Sequence, residues 1–179
     1  MGIYPDCPII LRTLEVGGLT KSQLIQKMQQ NAILMNEYGE RLFADEKFTT
    51  SDAKYNLRIV EITVIDLGFP DGATTAQLFK KARDLGLELC PLELGPHLRL
   101  EYLDQPEGHL QNTLQQAPSG SITIASDILT EDHNFPKGFY LRRTNGILWL
   151  RGYIADDLHV WQPNNHFIFV KNNTSINLK

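Results

Sequence analysis

Gly18-Leu19-Thr20-Lys21-Ser22-Gln23-Leu24-Ile25-Gln26-Lys27 returns 54 residues later as Gly72-Ala73-Thr74-Thr75-Ala76-Gln77-Leu78-Phe79-Lys80-Lys81. Gly, Thr, Gln, Leu and Lys recur at matching places. In each copy a glycine opens the turn, and a threonine stands where its hydroxyl accepts from the free amides of a first helical turn. Gln23 and Gln77 follow three residues on, at the capping-box position. Ala32-Ile33-Leu34-Met35 stands opposite Gly86-Leu87-Glu88-Leu89, so the likeness outlasts the helices. Two copies of one small unit predict an architecture built by packing pseudo-equivalent pieces. The copies cover about residues 10–45 and 64–102.

Outward from the repeat, Pro8 to Leu14 reads as an extended lead-in. Leu24, Ile25 and Met28 recur at helical spacing, and Asn36 caps a second helix running to about Ala44. Tyr55 to Leu67 holds the strongest strand signal of the first half, around Ile62-Thr63-Val64-Ile65. Gly86 suits a left-handed residue closing the second-copy helix. Leu87 to Cys90 reads as a short strand. Gly95-Pro96 reads as a break, and the alternation of His97 to Tyr102 as another strand. With two prolines and two glycines, 105–120 reads as a linker. After it, Phe139 to Arg143 and Ile147 to Arg151 flank Asn145-Gly146, the pair best suited to a two-residue hairpin turn. The predicted fold class is therefore α+β: two pseudo-repeated βα units over 1–104, then an antiparallel β-rich section over 121–171 and a tail over 172–179.

A chain of 179 residues suits one domain or two small lobes sharing a core. Charged content of 21% argues against disorder and coiled coil. The net charge of −4 argues against non-specific nucleic-acid binding, which draws its affinity from Lys and Arg. Cys7 and Cys90 form no CxxC pair and read as reduced thiols. The first residues lack a signal-peptide pattern, and no apolar run nears the roughly 20 residues of a membrane span. Together these point to the cytoplasm. Asn172-Asn173-Thr174 matches a glycosylation sequon that such a setting leaves unused.

Signatures of chemistry are sparse. Gly17-Gly18-Leu19-Thr20-Lys21-Ser22 lacks the glycine that a phosphate-binding loop needs directly before its lysine. Cys90 and His97, with Glu93 or Asp104, contain the residue types of a cysteine nucleophile, and define one alternative, a small hydrolase or transferase. His133, His159 and His166 stand among Asp127, Asp132, Asp156 and Asp157 with no metal-ligand spacing, so no metal and no cofactor is expected. The paired helices raise a second alternative, a DNA-binding regulator, but Asn36 to Phe43 carries Glu37, Glu40 and only Arg41, a poor set for a groove reader. The richest constellation spans the hairpin and the residues C-terminal to it. Arg142, Trp149, Arg151, Tyr153 and Trp161 combine arginine with aromatics, the mixture found at protein interfaces. Alternation places Tyr140 with Arg142 and Trp149 with Arg151 on shared faces; the competing reading puts Trp149 and Trp161 in the core.

The segment from Leu87 to Pro106 (LELCPLELGPHLRLEYLDQP) resembles a family of uncharacterised bacterial proteins, some of which carry a helicase label. So does Leu148-Trp149-Leu150-Arg151-Gly152-Tyr153, followed by Trp161 and Phe167-Ile168-Phe169-Val170. The likeness spans about Gly72 to Val170. The helicase label is rejected, because this chain has neither a Walker A loop nor the length. The resemblance implies a ligand-facing C-terminal sheet and brings no activity with it. The expectation is a non-enzymatic, cytoplasmic protein-binding or regulatory module, with another protein as partner, nucleic acid less favoured, and self-association left open.

Overall fold

A computed structural model describes residues 10–108 and 119–171. Most of the expected linker, the tail with its sequon, and Cys7 lie outside these residues. The described elements are β1 (Ile10–Gly17), α1 (Lys21–Gln30), β2 (Leu34–Met35), α2 (Glu37–Ala44), β3 (Lys54–Thr63), β4 (Ala73–Thr74), α3 (Thr75–Asp84), β5 (Leu87–Glu88), α4 (Leu94–Glu101), β6 (Ile122–Ile124), β7 (Gly138–Thr144), β8 (Ile147–Tyr153), β9 (Val160–Trp161) and β10 (His166–Lys171). The fold is α+β. Eight strands form one mixed sheet in the order β1-β3-β10-β6-β7-β8-β2, with β5 also on β10, and β4 pairs with β9 apart from it.

The repeat survives as structure from Gly18 and Gly72 onward. Both glycines have positive φ, 76° and 92°. The Thr20 and Thr74 hydroxyls accept from the amides of Gln23 and Gln77, whose side-chain oxygens accept in return from the threonine amides. Leu24 and Met28 in α1 match Leu78 and Ala82 in α3, all fully buried. Each helix is followed by a left-handed residue, Ala32 at φ 54° and Gly86 at φ 80°. A buried Ile33 then precedes β2, a buried Leu87 opens β5, and each two-residue strand leads to a second helix. The leading strand does not repeat: β1 is a full strand, whereas Val64 to Leu67, the end of the predicted strand, forms a turn closed by Leu67 N–H donating to Thr63 O.

The first helices of the two copies cover opposite faces of the sheet. Leu24 and Met28 of α1, Leu42 and Phe43 of α2, and Leu94 and Leu98 of α4 join a core with Leu14, Val16, Ile59, Ile124, Phe139, Leu141, Leu150 and Ile168. Leu78 and Ala82 of α3 lie on the other face, against Val60, Ile62, Phe167, Phe169 and Trp161. Each Leu, Ile, Val, Met or Phe side chain buried in this way contributes roughly 1.5–3 kcal/mol by leaving water.

The sheet curls around α4, which touches β1 as well as β7 and β8. This helix corrects the strand predicted at His97 to Tyr102 and the break at Gly95-Pro96. Every residue from Leu94 to Arg99 is buried, so the segment has no polar face to mark a helical period. Pro96 sits in the first turn, where its missing N–H costs nothing. Gly95 lies flush on Phe139, whose ring would come within 2.6 Å of an added Cβ.

Arg99 of α4 is wholly buried and holds the hairpin from beneath. Its Nη1 donates to Gln105 Oε1 (2.6 Å), Trp149 O (3.2 Å) and Arg142 O (3.4 Å), and its Nη2 donates to Tyr102 O. Gln105 Nε2 in turn donates to Gly120 O and Leu141 O. Burial lowers the guanidinium to about 10, so it stays charged at neutral pH and is met by neutral oxygens. The hairpin turn is as predicted, with Asn145 and Gly146 both at positive φ, 52° and 74°.

A left-handed alanine is strained where its repeat counterpart, glycine, is not. Ala32→Gly is therefore expected to stabilise the fold by about 1 kcal/mol, read as a higher urea midpoint, and Gly86→Ala to lower it by a similar amount. A lower midpoint for Ala32→Gly would contradict this reading of the repeat.

Candidate functional site

Strand register turns the hairpin alternation into a surface. Thr123 of β6 pairs with Tyr140 of β7, which pairs with Arg151 of β8. Along the same face, Arg142 is opposite Trp149 and Gly138 opposite Tyr153. In the other direction Thr123 pairs with Phe167, which packs in the α3 core. The face is thus continuous with the one α3 covers, but α3 covers only its β3 and β10 half. Over β6, β7 and β8, no described helix lies on it.

The predicted residues fall into two groups. Arg142, Trp149 and Arg151 meet with Tyr140, and the Arg151 guanidinium carbon stands 5.0 Å from the Trp149 ring centre and 5.9 Å from that of Tyr140. Tyr153 and Trp161 form a corner further along. Trp161 contacts Tyr153, His159 and Phe167 edge-on, at 5.6, 4.8 and 4.9 Å between ring centres. Trp161 is buried, and its indole N–H donates to Thr75 Oγ1 at the start of α3 (2.9 Å). Gly138 leaves room for the Tyr153 ring, 3.3 Å from where a Cβ would sit. Burial raises the phenol pKa of Tyr153, and also that of Tyr140, where Arg151 and Arg142 act against it.

Of the first group Tyr140 and Arg151, and not Arg142 or Trp149, open onto a cleft of about 1020 Å³. Tyr140, Arg151, Ser121 and Thr123 line its base; Tyr153, Trp161, His159 and Asp156 line one wall, and Asn36, Tyr38 and His133 the approach. The Ser121 hydroxyl, the Trp149 indole N–H and the Nε groups of Arg142 and Arg151 are buried without a hydrogen-bond partner.

Asn36 fixes the edge of this floor in a way the sequence did not signal. Its Oδ1 accepts from Gly39 N–H, the predicted helix cap, and also from Gly152 N–H, each at 2.8 Å. Its Nδ2 donates to Gly152 O at 3.0 Å. One amide side chain thereby continues the β8 ladder beyond β2 and covers an edge that would otherwise template another strand. Gly152 permits this closeness, since a Cβ there would stand 2.6 Å from the Tyr38 backbone.

Cys90 and His97 are not brought into a nucleophile–base pair. The Cys90 thiol donates to Ile168 O, and burial alone pushes it up, away from the thiolate. His97 Nε2 accepts from Gly17 N–H at 3.1 Å, so the ring's proton is on Nδ1, and burial holds it neutral against the pull of Glu93. The Glu93 carboxylate is itself committed to Ser51 and the Tyr55 hydroxyl (2.6 Å). The group ties α4 to β1 and β3. Of the C-terminal histidines, His133 and His159 line the cleft, while His166 pairs with Glu61 at 2.8 Å, which raises its pKa. Among the described residues, no group of three or more His, Cys, Asp or Glu could hold a metal ion, and no helix is long and apolar enough to cross a membrane. The α1–α2 pair does not stand free: β2 between them joins the sheet, and α2 packs on β8.

No protein-family model, curated protein or solved structure matches the chain.

Asn36→Ala removes three hydrogen bonds and orphans both backbone groups of Gly152. It is expected to cost about 3 kcal/mol in urea unfolding, with Asn36→Ser, which keeps the helix cap alone, losing about half as much. Full recovery with serine would mean that Asn36 only caps α2.

Proposed function

We propose that the chain is a non-enzymatic binding module that receives a segment of another protein in the cleft over β6, β7 and β8. One observation carries this reading: helices cover the first face and the α3 half of the second, while the remaining half presents arginine and aromatic side chains along an open cleft. Rigid aromatics and arginine give interfaces much of their binding energy, because they bury large areas at little entropic cost. Here Trp149 and Arg151 project from mid-strand on a tightly paired hairpin, so a partner would meet a preorganised surface. The edge of β8 near Gly152 is closed by Asn36, so the partner would lie across the face and not extend the sheet there. The acidic balance and the free, buried Cys90 favour a reducing cytoplasmic setting.

The test is selection of peptides from a displayed random library on the intact chain. Trp149→Ala/Arg151→Ala, checked for an unchanged near-ultraviolet spectrum and urea midpoint, is expected to lose at least tenfold in affinity for the selected peptides. Unchanged binding by the double variant would place any partner elsewhere.

A further inference from the structure

The chemistry of the cleft floor specifies what the docking segment must bring. The arginines around the hairpin differ in one respect. Arg99 is met by four oxygens, and Arg143 has Glu107 at 3.6 Å and Gln105 O at 3.4 Å. Arg142 and Arg151 have no carboxylate within ion-pair distance among the described residues. Of these two, Arg151 lines the cleft. Arg151 is partly buried and its guanidinium lies near both the Trp149 and Tyr140 rings; its Nε, like those of Arg99, Arg142 and Arg143, has no hydrogen-bond partner. An arginine with no carboxylate of its own chain beside it is free to take one from a partner, and the planar guanidinium fork matches a carboxylate.

The neighbours of Arg151 complete a polar set. Tyr140 and Thr123 follow it in one row across three strands, and Ser121 lies two residues from Thr123 on the same face. Ser121 is 6% exposed, and its hydroxyl has no partner. Hydroxyls beside a guanidinium are the donors a carboxylate needs for its remaining lone pairs. Asp156 and His159 line the same cleft, His159 against Trp161, and Asp156 makes no ion pair with Arg151.

We infer that this floor is a carboxylate subsite: Arg151, flanked by Tyr140, Thr123 and Ser121, takes an Asp or Glu side chain of an extended segment crossing the cleft. The inference rests on the docking reading above and names the chemistry of its partner. Because the cleft is open, the acid comes from within a passing segment, and the Trp149 ring against Arg151 reports its arrival.

The probes are two eight-residue peptide pools, randomised except for a central Glu in one and a central Gln in the other. Each is titrated into the intact protein while the Trp149 indole N–H and the Arg151 Nε–H are followed by nitrogen–proton correlation spectra. The Glu pool is expected to shift both signals at about one-tenth of the concentration the Gln pool requires, the worth of one charge-assisted hydrogen-bonded pair. Arg151→Gln should erase that preference, and Arg151→Lys should keep part of it, having the charge without the fork. Equal responses to both pools would overturn the carboxylate subsite and leave the docking cleft standing. No response to either pool would overturn both. A Glu preference surviving in Arg151→Gln would also overturn the assignment.

Discussion

A charged guanidinium buried among neutral oxygens is the constraint around which this fold is arranged. Arg99 gathers the end of α4, Gln105, and the backbones of β7 and β8 through Arg142 O and Trp149 O. Losing a partner from such a group leaves the other side unsatisfied, at about 1–3 kcal/mol for each buried polar atom. The arrangement therefore has little freedom. The same contacts fix the hairpin at Arg142 and Trp149, whose side chains belong to the opposite face. What anchors the sheet from within thus sets the geometry of what it displays.

The repeat explains why one half of that face stays uncovered. Its two copies are near equivalents in capping, burial and termination, yet α1 lies on one face of the sheet and α3 on the other. The first face gains α2 and α4 as well and is filled. The second has α3 alone, which reaches β3 and β10. The hairpin lies beyond it, and its outer face is left to arginines, aromatics and hydroxyls. A pseudo-symmetric unit used on an asymmetric sheet leaves a cleft where the symmetry ends.

Much of this was legible in the chain where the signal was local. The capping threonines, the left-handed position at Gly86 and the Asn145-Gly146 turn depend on a few adjacent residues, and they form as the pattern dictates. Alternation along the hairpin assigned Tyr140, Arg142, Trp149 and Arg151 to their faces before any register was known. The failures were non-local. In α4, burial from every side erased the amphipathic period, and His97 to Tyr102 passed for a strand. Trp161 lines the cleft yet is 4% exposed and bonded to Thr75 from a distant helix, a contact that no local pattern signals. The cap at Asn36 is a local signal, but its bonds to Gly152 cross most of the chain. The place of β10 between β3 and β6 likewise has no local signature. The cysteine–histidine reading had the residue types without the geometry, for Cys90 and His97 are spoken for by different backbone groups.

These features join into one dependency: the Arg99 anchor holds the hairpin, and the hairpin displays the cleft floor. Native-state hydrogen exchange compared between the wild type and Arg99→Met tests it most directly. Loss of protection concentrated in β6, β7, β8 and the end of α4, with β1, β3 and α3 keeping theirs, is the expected result. Protection unchanged in the hairpin amides would contradict it, since the floor would then stand without the anchor.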